Sequence, residues 1–223
     1  MMVLIMFAVG TLGLIFGSFF NVLIYRMPRG LSIIRPGSHC VHCNEPVRFY
    51  DNIPVFSFII LKGKCRFCKT KISWRYPAIE LLTAVCLMLL FLKYGRSVQT
   101  IVYSALICFL IPISVIDIDK KLILNRLTVP GFILGLLLAF GLQIEIGQKL
   151  LLGGLFGGLL VLGIGLLGKL IFRKESVGMG DVKLLVLIGV YVGFPDVAFC
   201  LFFGILSASL YIFGGFVLKK IRL

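Results

Sequence analysis

The sequence predicts an all-α polytopic membrane protein, and three observations lead to that prediction. Of the 223 residues, 60% are hydrophobic and 14% are charged, and the mean hydropathy is +1.09. Soluble domains carry about 25% charged residues. The apolar residues form long continuous runs, unlike the short alternating segments of an outer-membrane barrel. Since helices are the other backbone structure that satisfies its own hydrogen bonds in lipid, the runs predict membrane-spanning helices.

The runs predict about seven transmembrane helices, with six or eight also compatible. A span needs roughly 17–25 residues, and the first, third, fifth and seventh runs reach that length. The other three are short or interrupted by glycine and proline, which leaves their ends uncertain. The runs lie at about 1–25, 77–92, 98–116, 127–142, 149–171, 182–194 and 197–218.

Basic residues between the runs predict the orientation. If the segment 26–76 is cytoplasmic, nineteen Lys and Arg fall on the cytoplasmic side and three on the other. This agrees with the positive-inside bias and predicts an external N-terminus and a cytoplasmic C-terminus with its basic tail, Lys219, Lys220 and Arg222. The domain organisation is then a first transmembrane helix at 1–25, a cytoplasmic basic loop at 26–76 and a polytopic helical domain at 77–223.

The net charge of +14 does not indicate a nucleic-acid partner. The chain has neither basic repeats interleaved with aromatic residues nor a nucleic-acid motif, and its cations suit membrane lipid headgroups. The first apolar run has no preceding basic residue and no clear cleavage site, so we expect a retained membrane anchor rather than a signal peptide.

Four cysteines in the basic loop form two CxxC pairs, Cys40 with Cys43 and Cys65 with Cys68. A two-residue gap lets both thiolates of a tight knuckle face one ion, and two knuckles complete a tetrahedral site. Cytoplasmic placement disfavours disulfides. The spacing therefore predicts a structural zinc site in a small loop like a zinc ribbon, with a redox pair as the alternative. Histidines 39 and 42 are interpreted as loop residues.

Two acids lie where apolar runs meet the cytoplasmic side: Asp117 ends the third run and Asp181 begins the sixth. Two carboxylates from separate helices that meet at one depth are what an aspartic protease needs, because repulsion between them retains one shared proton. Gly178 and Gly180 remove side chains just before Asp181, which allows another backbone to approach. Asp119 lies about 200° around a helix from Asp117, so both cannot face one partner.

The residues alone leave two functions open for these acids. They fit a catalytic pair, and they equally fit a proton or cation relay in a transporter with a regulatory zinc knuckle. Transporters often contain internal repeats, and the sequence shows no convincing one. A non-enzymatic assembly factor of a secretion machine is a third alternative.

Five motifs in order resemble the type IV prepilin peptidases, a branch of the GxGD membrane aspartic proteases. They are GSFFNVLIYRMPRG (17–30), the paired CxxC knuckles, WRYPAIELLTA (74–84), IDIDKKLILNRLTVP (116–130) and GMGDVKL (178–184). The resemblance covers residues from about 17 to 190, and the ordered set is far more specific than GxGD alone.

The resemblance implies an enzyme of the bacterial inner membrane that cuts the short basic leader from prepilins or pseudopilins. Such substrates belong to type IV pili, type II secretion and competence systems. Many members also N-methylate the new N-terminus with S-adenosylmethionine, for which the sequence assigns no binding residue. The family's first aspartate corresponds to Asp117 and its second to Asp181, with Asp119 in a supporting role. Leu124 stands where proline is usual, which leaves the local turn in doubt.

Several other polar or small residues of these motifs lie near the predicted cytoplasmic face. Their interpretation is divided between function and helix packing, in which small residues allow close approach and Asn21 hydrogen-bonds between helices. The residues are Gly17, Ser18, Asn21, Arg26 and Glu80. The sequence gives no indication of the oligomeric state.

Overall fold

The computed structural model describes residues 1–141, 144–173 and 178–217. These residues are predominantly helical, and among them there are two isolated β-bridges and no strand. Short 3-10 helices cover Met27–Arg29 and Phe49–Asn52. The α-helices are α1 (Met2–Arg26), α2 (Phe56–Ile60), α3 (Arg75–Tyr94), α4 (Val98–Lys120), α5 (Asn125–Gly141), α6 (Ile144–Phe172), α7 (Met179–Val192) and α8 (Asp196–Val217).

The all-α prediction is confirmed, and each predicted apolar run coincides with a helix other than the short α2. In the described part of the chain, four helices are long and apolar enough to cross a membrane: Met2–Arg29, Arg75–Tyr94, Val98–Lys120 and Gly147–Ile171. The helices Asn125–Gly141 and Asp196–Leu210 are apolar but shorter. A total of seven spans stays a prediction. The basic tail and the last residues of two predicted runs, 142 and 218, lie outside the described residues.

The chain divides into two compact units, Met1–Leu127 and Thr128–Leu223. In the first unit, α1 packs along α3 through two glycines, Gly13 and Gly17. A Cβ at Gly17 would lie 2.5 Å from the Cα of Glu80, and one at Gly13 would lie 2.5 Å from the Cα of Ala84. The missing side chains therefore let the two backbones approach closely, as small residues do between membrane helices.

In the second unit, α6 packs on α7, also through glycine. A Cβ on Gly153 would meet the backbone at Gly189 and Gly193 at 2.5 Å. The buried Tyr191 hydroxyl donates a hydrogen bond of 2.8 Å to the carbonyl of Gly131, which connects α7 to α5. An apolar core formed by Val161, Leu185 and Val197 joins α6, α7 and α8.

The ends of α4 show why this helix begins and stops where it does. Ser97 is its N-cap, and its hydroxyl accepts a hydrogen bond of 3.4 Å from the Thr100 N–H. At the other end, Lys121 takes the left-handed conformation (φ 56°), and its N–H donates to the Asp117 carbonyl at 2.8 Å. This is the usual left-handed helix stop, and it leaves Asp117 and Asp119 in the last turn.

We expect Gly13→Ala to destabilise the protein and Gly10→Ala to have little effect. The new methyl group at residue 13 would lie 2.5 Å from the Ala84 backbone, which cannot move away from it without separating α1 and α3. The expected loss is about 1–3 kcal/mol of unfolding free energy. At residue 10 the nearest atom is the flexible Met88 Sδ at 3.1 Å, and alanine favours a helix over glycine.

Thermal unfolding of both variants in the same detergent tests this expectation. Equal melting temperatures for the two variants would show that the α1–α3 contact does not depend on Gly13.

Candidate functional site

The four loop cysteines converge on one point. The sulfur atoms of Cys40, Cys43, Cys65 and Cys68 all lie within 4.8 Å of one another, and none forms a disulfide. The Cys40 and Cys68 sulfurs are 3.8 Å apart. A tetrahedral ion with metal–sulfur bonds of about 2.3 Å places its ligands about 3.8 Å apart. The arrangement therefore fits a metal ion held by four thiolates, as the spacing predicts.

Two knuckles of the same backbone design build this cluster. In the first, the Asn44 N–H donates to the Cys40 carbonyl at 2.9 Å, and the Cys40 N–H donates to the Glu45 carbonyl at 2.9 Å. Asn44 has a positive φ of 58°. The second knuckle repeats each feature twenty-five residues later: Lys69 to Cys65 at 3.1 Å, Cys65 to Thr70 at 2.9 Å, and φ 60° at Lys69. The repeat turns both pairs of thiols toward one centre.

The thiols hold their protons unequally. Hydrogen bonds from the Thr70 hydroxyl and backbone N–H lower the pKa of Cys68 to about 6. The Glu45 N–H lowers the pKa of Cys43, but desolvation and the neighbouring thiols outweigh it and raise that pKa to about 11. A bound cation would ionise all four groups, because thiols deprotonate on coordination.

A bidentate ion pair fastens the second knuckle to the middle of the loop. Arg66, between Cys65 and Cys68, donates to the Asp51 carboxylate at 2.7 and 2.6 Å. The Arg66 guanidinium lowers the pKa of Asp51. His39 lies outside the cysteine cluster, with Nδ1 3.1 Å from the Gly37 carbonyl oxygen, which agrees with its interpretation as a loop residue.

The membrane helices hold the loop through motif residues at their ends. The buried Arg26 guanidinium, at the end of α1, donates to the carbonyls of Ser32 (3.1 Å) and Gly37 (2.9 Å). The Asn21 side chain donates to the Tyr76 carbonyl at 3.1 Å, joining α1 to α3. These contacts agree with the packing interpretation of Asn21 and of Gly17.

Glu80 has a contact that sequence reasoning missed. Its carboxylate accepts a hydrogen bond of 2.7 Å from the backbone N–H of Val55, which has a positive φ of 62°. A β-branched residue in that conformation is an outlier that needs support from its surroundings. Glu80 is 7% exposed. An acid inside an apolar run is the sequence signal that could have indicated such a role.

Asp117 and Asp119 take different sides of α4. Asp117 is half-buried, one turn beyond the buried Ile113. Asp119 is exposed and forms a 2.6 Å ion pair with Arg75 at the start of α3. The pairing gives Asp119 a definite partner, Arg75, rather than the neighbouring Lys120 and Lys121. The ion pair therefore holds the Asp119 side chain against the start of α3. Asp117 forms no ion pair with another residue that the structure describes.

Asp181 lies in the first turn of α7, directly after the two glycines. Gly178 is the N-cap, and its carbonyl accepts a hydrogen bond of 3.0 Å from the Asp181 N–H. A Cβ on Gly178 would lie 3.5 Å from the Asp181 Oδ2, so glycine leaves that side of the carboxylate open. A negative charge at a helix N-terminus is favourable, and Asp181 is exposed.

The two acids belong to different compact units, Asp117 to the first and Asp181 to the second. The pairing of these two acids stays a prediction.

Comparison with known proteins gives two family matches that follow each other along the chain. Residues 11–94 match the bacterial peptidase A24 N-terminal domain, and residues 104–213 match the type IV leader peptidase family. The first region contains the cysteine cluster and Glu80, and the second contains Asp117, Asp119 and Asp181.

Individual relatives agree with these matches. The chain is 36% identical to a prepilin leader peptidase/N-methyltransferase of Myxococcus xanthus, over 81% of this chain and 54% of that protein. It is 36% identical to a type 4 prepilin-like proteins leader peptide-processing enzyme of Escherichia coli O78:H11 (83% and 77% covered). It is 33% identical to a prepilin leader peptidase/N-methyltransferase of Pseudomonas putida (95% and 80% covered). The chain thus spans about half the length of the first of these relatives. No solved structure matches the chain.

We expect Cys40→Ser to remove bound metal from the purified protein. The substitution takes away one of the four thiolates, whose sulfur lies 3.8 Å from that of Cys68. The serine hydroxyl that replaces it has a lower affinity for the metal. Cys200→Ser is the matched control, because Cys200 lies in α8, outside the cluster.

Elemental analysis of the two variants and the wild type measures metal per chain. Metal retained at full stoichiometry by Cys40→Ser, or a wild type with no metal and two disulfides, would contradict a four-thiolate site and favour the redox alternative.

Proposed function

Because the chain belongs to the type IV leader peptidase family, we propose that it is a membrane aspartic endopeptidase. Its proposed reaction is removal of the short basic leader from type IV prepilins or pseudopilins. The relatives named above support this substrate class. They give no support to the alternative of a proton or cation transporter.

The proposed catalytic pair is Asp117 and Asp181. The observation that carries the proposal is their position: both lie at helix ends within the region that matches the peptidase family, in the last turn of α4 and the first turn of α7. At a helix end a carboxylate can meet water without being drawn into the hydrocarbon.

In the proposed mechanism, one ionised carboxylate removes a proton from a water molecule. The other, protonated carboxyl group donates a hydrogen bond to the carbonyl oxygen of the scissile peptide. The water oxygen bonds to the carbonyl carbon, the C–N bond then breaks, and the new amine takes up a proton. No covalent bond forms between enzyme and substrate. Repulsion between two close carboxylates is what would keep one of them protonated.

The proposed location is the bacterial inner membrane, with the N-terminus outside and the active site and C-terminus in the cytoplasm. The excess of basic residues on one side of the predicted spans supports this orientation. The apolar helix of a prepilin would then lie in the membrane while its basic leader stays cytoplasmic, which puts the scissile bond at the depth of the two acids.

A zinc ion is proposed at the four cysteines, since four thiolates in tetrahedral spacing are a typical structural zinc donor set. It would stabilise a loop that has little apolar core of its own. This chain's residues would hold the ion, and the peptidase chemistry does not require it.

Methylation of the new N-terminus is the second proposed activity, and the names of two relatives support it. S-adenosylmethionine would supply the methyl group. The methyl group would be transferred to the nitrogen of the new amine, with S-adenosylhomocysteine as the leaving group and one proton released from the amine.

We expect Asp117→Asn and Asp181→Asn each to lower the rate of leader cleavage by at least about a hundredfold, since each removes a group that transfers or holds a proton. Asp119→Asn should keep substantial cleavage, because Asp119 pairs with Arg75. The measurement is single-turnover cleavage of a prepilin peptide by purified enzyme, followed by mass spectrometry. Normal cleavage by Asp181→Asn would overturn the proposal, and loss in Asp119→Asn with full activity in Asp117→Asn would reverse the assignment.

We also expect the cleaved product to gain one methyl group at its N-terminus when S-adenosylmethionine is added. Intact-mass analysis of the product, with and without the methyl donor, measures this directly. Product that is cleaved but never methylated would leave the peptidase in place and remove the second activity.

A further inference from the structure

The basic loop contains one uncharged stretch, IPVFSFIIL at 53–61, whose only polar side chain is that of Ser57. Most of this stretch forms the short helix α2. Apolar side chains that are exposed one at a time on a protein surface are common, but several on one face of one helix mark a contact with a partner or with lipid. The question is therefore what covers α2.

The helix α2 turns its apolar face outward. Phe56, Ile59 and Ile60 stand at positions i, i+3 and i+4, which places them on one face of the helix. Their exposed fractions are 61%, 65% and 73%. The other face is held by the protein, because Ser57 is buried and its hydroxyl donates to the Tyr50 carbonyl at 2.9 Å.

Trp74, just before α3, adds to the exposed apolar area beside α2. Its ring packs on Phe58 of α2 with the ring centroids 4.7 Å apart, and yet Trp74 is 76% exposed. Tryptophan is enriched where a membrane meets water, since its ring is apolar and its N–H is polar. We name the α2 surface as the set of Phe56, Ile59, Ile60 and Trp74.

A hydrogen bond fixes the depth of α2 relative to the membrane helices. The Val55 N–H donates to the Glu80 carboxylate at 2.7 Å, so α2 begins beside Glu80. Glu80 lies about 7.5 Å along the helix axis from Arg75, the start of a helix able to span a membrane. Glu80 also lies against Gly17, which is about 13 Å along the axis from the end of α1 at Arg26. The α2 surface therefore starts at a level that the membrane helices occupy.

The charges that follow α2 suit lipid headgroups. From residue 53 to residue 73 the chain has no acid and five basic residues, and the first two, Lys62 and Lys64, are exposed directly after the helix. An apolar face bordered by cations is the pattern of a helix that lies at the surface of an anionic membrane.

We propose that the α2 surface lies in the interface of the lipid bilayer. Phe56, Ile59 and Ile60 contact the upper part of the acyl chains, and Lys62 and Lys64 contact anionic phospholipid headgroups. The cysteine loop is then attached to the membrane along its length as well as at its two ends. Lipid is favoured over a prepilin segment as the occupant, because the basic leader of the proposed substrate would be repelled by the five loop cations.

The fluorescence of the full-length wild type in lipid nanodiscs tests this placement, since Trp74 is the single tryptophan of the chain. Lipids with bromine near the headgroup end of the acyl chain should quench its emission at least about twofold, and lipids with bromine at the methyl end should quench it less. Acrylamide in the water should quench it weakly. Strong quenching by acrylamide without quenching by lipid would overturn the proposal. Emission insensitive to both quenchers would do the same, because it would place Trp74 in a protein–protein contact.

A displaced reporter tests α2 itself. Trp74→Phe combined with Ile60→Trp puts the only tryptophan on α2. The matched control combines Trp74→Phe with Val41→Trp, since Val41 is 52% exposed in the first cysteine knuckle. Brominated lipid should quench the reporter at residue 60 and not the one at residue 41. Equal quenching at the two positions would contradict a contact specific to α2.

The headgroup contact is tested with brominated phosphatidylglycerol and brominated phosphatidylcholine at equal mole fractions. The anionic lipid should quench Trp74 more strongly, and Lys62→Gln combined with Lys64→Gln should remove the difference. Equal quenching of the wild type by the two lipids would overturn the role of the lysines. Shielding of Trp74 from acrylamide that requires a prepilin peptide would assign the surface to the substrate and overturn the proposal. None of these measurements depends on cleavage, so a failure of the peptidase proposal is seen separately.

Discussion

The close contact between α1 and α3 is the constraint on which the first unit depends. Two glycines on α1 lie against the backbone of Glu80 and Ala84, where any Cβ would be 2.5 Å from a main-chain atom. That distance sets the helix ends side by side, so the Asn21 side chain reaches the Tyr76 carbonyl. Glu80 in turn holds Val55 in a conformation that valine rarely adopts. Helix packing thereby determines the shape of the loop outside the membrane.

Features that depend on local pattern could be predicted from the sequence. Long apolar runs predicted the helices because lipid leaves the backbone few alternatives, and CxxC spacing predicted the cysteine cluster because each knuckle is a local turn. The Glu80–Val55 and Arg75–Asp119 contacts could not be predicted, since they join residues far apart in sequence through helix packing. The number of spans and the pairing of Asp117 with Asp181 stay predictions, because they depend on tertiary arrangement rather than on periodicity.

The candidate metal site and the proposed catalytic pair lie in two different parts of one chain. The cysteine cluster and Glu80 lie in the region matched by the N-terminal family domain, and both proposed catalytic aspartates lie in the region matched by the peptidase family. The Arg75–Asp119 ion pair is a direct link between those regions, because it joins α3 to the same turn of α4 that carries Asp117. An exposed ion pair of this kind contributes little stability on its own. We expect it chiefly to orient the end of α4 against α3.

The loop that carries the cysteines leaves α1 and returns into α3, two helices already in contact within the membrane. Because that contact holds the two ends of the loop together, the entropy cost of closing the loop changes little with its length. The cysteine module could therefore be lengthened or shortened without moving the two helices that hold its ends, α1 and α3.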